Sequence, residues 1–396
     1  MTQADTMARA VADLAAGTAA GIAARASTRI AADVLVVGGG IVGSATAWAL
    51  RRRGLSVVLV ERGKAGMQAS SVNFGGVRQQ GRKLPELPVS RRARRIWSDL
   101  ARVLGSDCEF AAIGHVRLAR SEADLQALQA YRDQAAPYGL ELDILDGPAL
   151  RRRYPWLGRD LAGGSLCAED GHANPRLVSP RFARAAAEAG ARVIEGTAVE
   201  RVERAGDGFL AHAGGAAIAS RWLVNCAGAW SMAIARQFGE TFPLGAIYPN
   251  MIVTEPLPAF MTCCLGLYGT GFYARQVGRG SVVIGGVRAS GNDSLDSCRP
   301  NTAATLKEMS DALHFIPALA GANVIRSWTG IEGAFPDGMP VVGPSTRVPG
   351  LFHAFGFGGH GFQLGPGVGE AMAELIDRGE TDTDISGLLP ARFDAP

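Results

Sequence analysis

The first sustained apolar run is Asp33-Val34-Leu35-Val36-Val37, continuous rather than alternating, the pattern of a parallel strand covered on both faces. It leads directly into Gly38-Gly39-Gly40-Ile41-Val42-Gly43; residues 45–53 then have helical composition, Gly54 stops them, and Ser56-Val57-Val58-Leu59-Val60 predicts a second buried strand. These segments form one βαβ unit. Farther on the pattern changes to Arg-, Ala- and Leu-rich helices over 90–104 and 121–136, with a strand at 114–119 between them. A helix at 180–189, strands at 192–195 and 198–203 and a buried strand at 221–225 follow. The β-branched, aromatic and Gly content of 243–290 predicts antiparallel strands at 251–254, 271–276 and 281–286. The chain closes with a strand at 351–355, a Gly-rich loop and a helix over 367–376. Buried parallel-type strands interleave with antiparallel-type ones, so the expected fold is α/β, in two domains that the chain crosses more than once.

Composition agrees with a large two-lobed unit: 396 residues, 47% of them hydrophobic, suffice for a sizeable core. The formal charge is only +3 and the cations are nearly all Arg, the lysines being Lys64, Lys83 and Lys307. That balance does not describe a nucleic-acid surface. The densest basic run, Arg91-Arg92-Ala93-Arg94-Arg95, ends in Ile96-Trp97 and reads as a solvated helix face. Six cysteines are scattered without CxxC spacing, which argues against a disulfide framework or a metal site and for a reducing, cytoplasmic compartment. The adjacent Cys263-Cys264 pair would be strained as a disulfide. Residues 1–31, rich in Ala with scattered Arg and Thr, contain no long apolar run, so neither a membrane span nor a secretory signal is expected there. They read as a loose N-terminal extension.

Gly38, Gly40 and Gly43 fit GxGxxG between a strand and a helix. In that context the first glycine allows the tight turn, the second the approach of backbone to a pyrophosphate, and the third close packing of helix on strand. The helix start offers free N–H groups to phosphate. Glu61, 23 positions after Gly38 and at the end of the second strand, suits a ribose diol and would repel a 2′-phosphate. Two later segments point to an extended FAD rather than NAD. Leu223-Val224-Asn225-Cys226-Ala227-Gly228-Ala229-Trp230 is a strand running into a small-residue turn, and Phe355-Gly356-Phe357-Gly358-Gly359-His360-Gly361-Phe362 opens the last helix. A helix start aimed at the flavin N1 and C2 carbonyl would stabilise the reduced ring.

These segments, with ASSVNFGGVRQQGR after the second strand and WTGIEGAFPDGMPVVG before the last one, are similar in order and spacing to the FAD-dependent D-amino acid oxidase superfamily. That superfamily includes glycine oxidase, sarcosine oxidases, D-amino acid dehydrogenases and hydrogen cyanide synthase flavoprotein subunits. The resemblance covers residues 32–393. It implies a Rossmann-like FAD-binding domain from 32–80, 165–240 and 325–393, and an antiparallel-sheet substrate domain from 81–164 and 241–324. It also implies noncovalent FAD, no metal, and oxidation of a C–N bond in an amino acid or secondary amine, with hydride passing to flavin N5 and the imine then hydrolysed. If the amine binds neutral, no strong protein base is needed, and the site's work is orientation and charge matching.

By the same resemblance, Gly38, Gly40, Ile41, Val42, Gly43, Glu61, Arg62, Ser70, Ser71, Asn73, Val199, Ala227, Gly228, Trp230, Gly356, Gly358, Gly359, His360, Gly361, Phe362 and Gln363 are the expected cofactor residues. Arg78 is the first candidate for a substrate carboxylate, since its planar fork binds in two places; the alternative is a salt bridge within the fold. Tyr273, Arg275 and Arg288 belong to strands expected to floor the substrate pocket, and His360 either faces flavin or substrate or anchors its loop. Two positions depart from the family pattern. Glu332 stands where many amino-acid-oxidising relatives carry a carboxylate-gripping Arg, so it either meets a cationic group or points away. Val283 aligns with a lysine that promotes reaction with oxygen in monomeric sarcosine oxidase, which favours a dehydrogenase. Glu332 also keeps open a noncatalytic FAD-binding scaffold role, and the glycine motif taken alone would fit a pyridine-nucleotide dehydrogenase. Small-molecule substrates and hetero-oligomers that carry electrons away are the partners the resemblance implies, without nucleic acid or a membrane segment.

Overall fold

The computed structural model describes residues 29–269 and 271–394. Two eight-stranded sheets organise the chain. The first runs in the order Val341–Pro344, Leu351–Phe355, Ala216–Asn225, Arg29–Val37, Val57–Val60, Arg192–Ile194, with Gly208–Ala213 and Val199–Ala205 added as an antiparallel flap. Its four central pairings are parallel, and Val34, Leu35, Val36 and Leu59 are wholly buried, as continuous apolar strands require. The helices Ile41–Arg52, Pro175–Glu188, Leu87–Ser98 and Gly361–Arg378 supply much of the core on one face; the flap and residues such as Phe209 and Ile234 cover the other.

The second sheet is mostly antiparallel, in the order Val324–Thr329, Pro249–Pro256, Ser281–Arg288, Tyr273–Gln276, Cys264–Leu267, His115–Ala119, Gly163–Cys167, Asp143–Asp146. Its one parallel pair, Cys264–Leu267 with His115–Ala119, joins two distant parts of the chain. The helix Thr302–Phe315, which the pattern did not reveal, covers one face through Ala312 and Phe315.

The expected mixed α/β fold is what the chain adopts, with several expected boundaries moved. Arg29, Ile30 and Ala31 pair in register with Ala217, Ile218 and Ala219, so they belong to the first strand and not to an extension; residues 1–28 lie outside those described. The expected helix over 90–104 is two, Leu87–Ser98 and Leu100–Leu104, because Asp99 leaves helical geometry at φ −113° and ψ 18°. The first of these packs on the final helix through Val89, Ala93 and Trp97, so it belongs to the parallel-sheet core rather than to the substrate domain. Conversely, Gly163–Cys167 and Val324–Thr329 hydrogen-bond into the antiparallel sheet, which moves the expected boundaries at 165 and 325.

The final helix begins at Gly361, six residues before the expected start. Its glycines disguise it, and each answers a packing demand. A Cβ on Gly365 would lie 3.0 Å from Ile41, one on Gly367 2.6 Å from the Val89 carbonyl oxygen, and one on Gly369 2.6 Å from the Ala45 backbone. Small residues here let two helices approach the last one at backbone distance.

Candidate active site

A cavity of about 350 Å³ crosses the carboxyl ends of the parallel strands, the place where open α/β sheets bind ligands. At one end stand Glu61, Arg62, Val199 and Trp230; in the middle Gly38, Gly40, Ile41 and Val42; at the other Gly356 to Gly359, Gly361 and Phe362. Gly38 holds φ +104°, and a Cβ there would lie 2.4 Å from the Cys226 carbonyl oxygen. No side chain other than glycine fits such a turn. The helix Ile41–Arg52 opens behind Gly40 with no side-chain cap and no acid in its first turn, so its positive end remains for an anion at the cavity wall. The Ile41 N–H donates to Ser70 Oγ at 3.0 Å. Glu61 accepts from the Gly39 N–H at 2.7 Å and the Gly63 N–H at 2.8 Å, which fixes its carboxylate beside the glycine loop. The Arg62 guanidinium stacks 3.6 Å above the Trp230 ring and closes this end.

Ser70, Asn73, Ala227 and Gly228 also line the cavity, whereas Gly43, Ser71 and Gln363 do not. Gly43 packs the helix onto the turn, where a Cβ would meet the Gly38 carbonyl oxygen at 2.0 Å. Ser71 turns inward, its hydroxyl donating to the Pro175 carbonyl. Gln363 is fully buried and exchanges hydrogen bonds with the hydroxyl and carbonyl of Ser90. Cys226 lies at the cavity wall, and burial pushes its thiol up to about 12.

A second cavity, of about 310 Å³, adjoins the first and shares Asn73, Glu332, Gly358, Gly359 and Phe362 with it. It gathers Arg78, Tyr273, Arg288 and His360, which are far apart in sequence. Tyr273 packs against Phe74 with ring centroids 4.6 Å apart and planes tilted by 56°, and burial, then the nearby Glu332 charge, holds its hydroxyl above the ordinary tyrosine range. Arg78 hydrogen-bonds the Gln80 carbonyl and makes no ion pair among the described residues, so the salt-bridge alternative does not hold. Arg288 is exposed at the end of its strand.

His360 anchors its loop. Its Nδ1 lies 2.8 Å from Glu86 Oε1, and burial, then the Arg82 charge, pushes the imidazole down to about 4, so at neutral pH it donates as a neutral ring. Arg275 is not in the cavity. It is buried, donating to the Phe74 carbonyl at 2.7 Å and lying 3.1 Å from His172 Nδ1, and so braces the turn beneath.

Two arginines of this cavity escaped the sequence reading, Arg82 and Arg117. Burial and the Arg78 charge push Arg82 down to about 9 and Arg117 to about 10. Arg82 Nη1 has no hydrogen-bond partner among the described residues. A Cβ on Gly81 would lie 2.0 Å from Arg117 Nη1 and 3.1 Å from Arg78 Nη1, so the two guanidinium groups converge over that glycine. None of Arg78, Arg82, Arg117 and Arg288 pairs with a carboxylate among the described residues. Four such cations around one space, three of them at least partly withdrawn from bulk water, make a site whose charge an anionic ligand would offset.

Among the described residues Glu332 is the single acid lining this second cavity. Its strand, Glu332–Ala334, pairs with Gly245–Ile247, and Gly333 accepts from the Gly358 N–H at 2.9 Å, which seats the carboxyl where the cavities meet. Burial pushes it up to about 7 against the pull of the Gly359 N–H, and its Oε2 has no hydrogen-bond partner among the described residues. The alternative in which Glu332 points away is thereby excluded.

Residues 33–375 match the family model described as FAD dependent oxidoreductase (DAO). Over 380 residues the chain is 30% identical to an opine oxidase subunit of Rhizobium meliloti, covering 92% of this chain and 98% of that one. It is 27% identical over 366 residues to glycine oxidase of Geobacillus kaustophilus, covering 89% and 95%. The crystal structure of glycine oxidase from Geobacillus kaustophilus superposes with a TM-score of 0.84 at 25% identity, over 91% of this chain and 98% of that one. L-proline dehydrogenase from P. horikoshii shares the fold, with a TM-score of 0.85 at 24% identity over 92% and 98%. The family match runs from the first strand into the last helix and takes in every residue of both cavities, and this chain therefore belongs to the FAD dependent oxidoreductase family.

Proposed function

We propose that the chain oxidises the C–N bond of a secondary amine that carries two carboxylates, and that it passes the electrons to a partner rather than to oxygen. The observation that carries this reading is the convergence of Arg78, Arg82, Arg117 and Arg288 on a cavity that opens onto the cofactor cleft. One carboxylate needs one fork; four guanidinium groups without acidic partners fit a ligand of higher negative charge. The likeness to a protein named as part of an opine oxidase supports a substrate with its amine between two acid groups.

The residues present fit FAD. Glu61 and Val199 would hold the adenosine end, Gly38, Gly40 and the helix start at Ile41 the pyrophosphate, and Gly356 to Phe362 the flavin end. When bound, FAD supplies the two-electron acceptor for the amine carbon. The protein's own contribution is position and charge: Arg78 and Arg117 fix one carboxylate over Gly81, Arg82 meets charge deeper in, and Arg288 receives the outer carboxylate at the mouth. The Phe74 and Tyr273 rings wall the space between. No lysine lines either cavity, and buried Val283 stands at the position where the resemblance would require one for rapid reaction with oxygen. A hetero-oligomer in which another chain takes the electrons follows from that choice of acceptor, and the relative's name, which makes it one of several subunits, agrees with it.

A comparison of substrates tests the class. With an artificial electron acceptor, kcat/KM for a secondary amine dicarboxylate is expected to exceed that for glycine, sarcosine or proline by at least about tenfold, the value of one additional charged hydrogen-bonded contact. Equal or better turnover of the monocarboxylates would refute the dicarboxylate assignment.

A further inference from the structure

We propose that Glu332 is the catalytic residue that receives the substrate nitrogen: its carboxylate pairs with the substrate ammonium and accepts one N–H proton before the neighbouring C–H bond breaks. The inference rests on the reading that the second cavity takes an amine. It arises because every other ionisable group around that space is the wrong kind. Arg78, Arg82, Arg117 and Arg288 are cations, His360 is bound to Glu86, and Tyr273 is a hydroxyl donor held protonated. His115 is kept uncharged by burial and the Arg78 charge, and its Nδ1 lies 3.0 Å from Gln80 Nε2. In the cofactor cleft the other acid, Glu61, is already bonded to two backbone N–H groups, and Arg62 is stacked on Trp230. An ammonium between two arginine-held carboxylates would therefore face only repulsion, except at Glu332.

Position agrees with chemistry. Glu332 is the one carboxylate common to both cavities, seated beside Gly358 and Gly359 at the head of the final helix, with Oε2 unpartnered. A group that must touch the nitrogen while the adjoining carbon faces the flavin has to lie at that seam. In the step, the N–H bond breaks and an O–H bond forms on the carboxylate. The electron pair left on nitrogen is the pair that becomes the second C–N bond when the carbon is oxidised. Because the carboxyl ionises near 7, it is a competent base at neutral pH and is filled with a proton in mild acid.

The test uses the flavoprotein and two ligands that cannot react: 2-methylalanine, which has no hydrogen on the carbon beside nitrogen, and isobutyrate, which lacks the nitrogen. Binding is read from perturbation of the visible flavin band. At pH 8 the wild type is expected to bind 2-methylalanine at least about tenfold more tightly than isobutyrate, and at pH 6 that advantage should fall by about tenfold, because the carboxyl is then protonated. Glu332→Gln should bind 2-methylalanine no more tightly than isobutyrate at either pH, with flavin content unchanged; Glu332→Asp, which keeps the charge, should retain the pH-dependent preference. Failure of the wild type to bind 2-methylalanine, equal binding of the two ligands, or a preference that survives in Glu332→Gln would overturn the assignment. The outcomes separate this inference from the reading beneath it. Amine oxidation without the nitrogen preference sinks the role of Glu332 alone, and the preference without amine oxidation sinks the redox reading alone.

Discussion

At the scale of single residues, the second cavity is defined by an imbalance. Four guanidinium groups surround one carboxyl, and the burial that pushes Arg82 and Arg117 down is the same burial that raises Glu332. Each shift reports the cost of holding a charge away from water without its counter-ion. A ligand bearing two carboxylates and one ammonium removes all of these costs together. Arg78 should then be the most sensitive contact, since it shares the space over Gly81 with Arg117 and is committed to no acid. Arg78→Ala is expected to raise KM for the dicarboxylate by roughly 10- to 100-fold, the loss of a charge-assisted hydrogen bond worth about 1.5–3 kcal/mol. Steady-state kinetics read this; a KM within twofold of wild type would remove Arg78 from the carboxylate site. Arg288 is exposed, and its removal should cost less, because solvent screens it.

At the scale of elements, legibility in the sequence followed the strength of local pattern. The continuous apolar runs at 34–37 and 57–60 were readable because burial on both faces leaves no polar position, whereas 29–31 were missed because Arg29, Ala31 and Asp33 break the run. The final helix was half hidden because its glycines answer to the helices packed on it and not to helix propensity. Arg82 and Arg117 were not found, for a different reason. Arg117 reaches the cavity only because His115–Ala119 pairs in parallel with Cys264–Leu267, a contact no local pattern encodes. One signal was present: Val116 and Leu118 are fully buried, while His115 and Arg117 share the opposite face of that strand and line the cavity. Gly369→Ala tests the packing account, since the new Cβ would lie 2.6 Å from the Ala45 backbone and 2.8 Å from its Cβ. It should destabilise the protein by about 1–3 kcal/mol. Gly278→Ala, where nothing lies within 4 Å, should leave the thermal midpoint in place. Equal midpoints for both variants would show that the glycines are not there for contact.

At the scale of the whole molecule, the two sheets divide the work. The parallel sheet ends in a cleft built from a left-handed glycine turn, a helix start with no acid in its first turn and a fixed carboxylate, while the antiparallel sheet carries Arg117, Tyr273 and Arg288 to a cavity beside it. The segment 76–82, between the strand Val57–Val60 and the helix Leu87–Ser98, delivers Arg78 and Arg82, and the segment 329–334, where the chain leaves the antiparallel sheet, delivers Glu332. The second cavity is therefore lined from both sides, and neither sheet alone supplies all of its residues. Among the described residues no helix is long and apolar enough to cross a membrane. The most direct test of the central claim is to mix the purified flavoprotein, without oxygen, with a secondary amine dicarboxylate and follow the visible flavin band and the products together. The structure predicts that the band bleaches while one primary amino acid and one oxo acid appear for each flavin reduced. A band that stays oxidised, or that bleaches with the C–N bond intact, would contradict it.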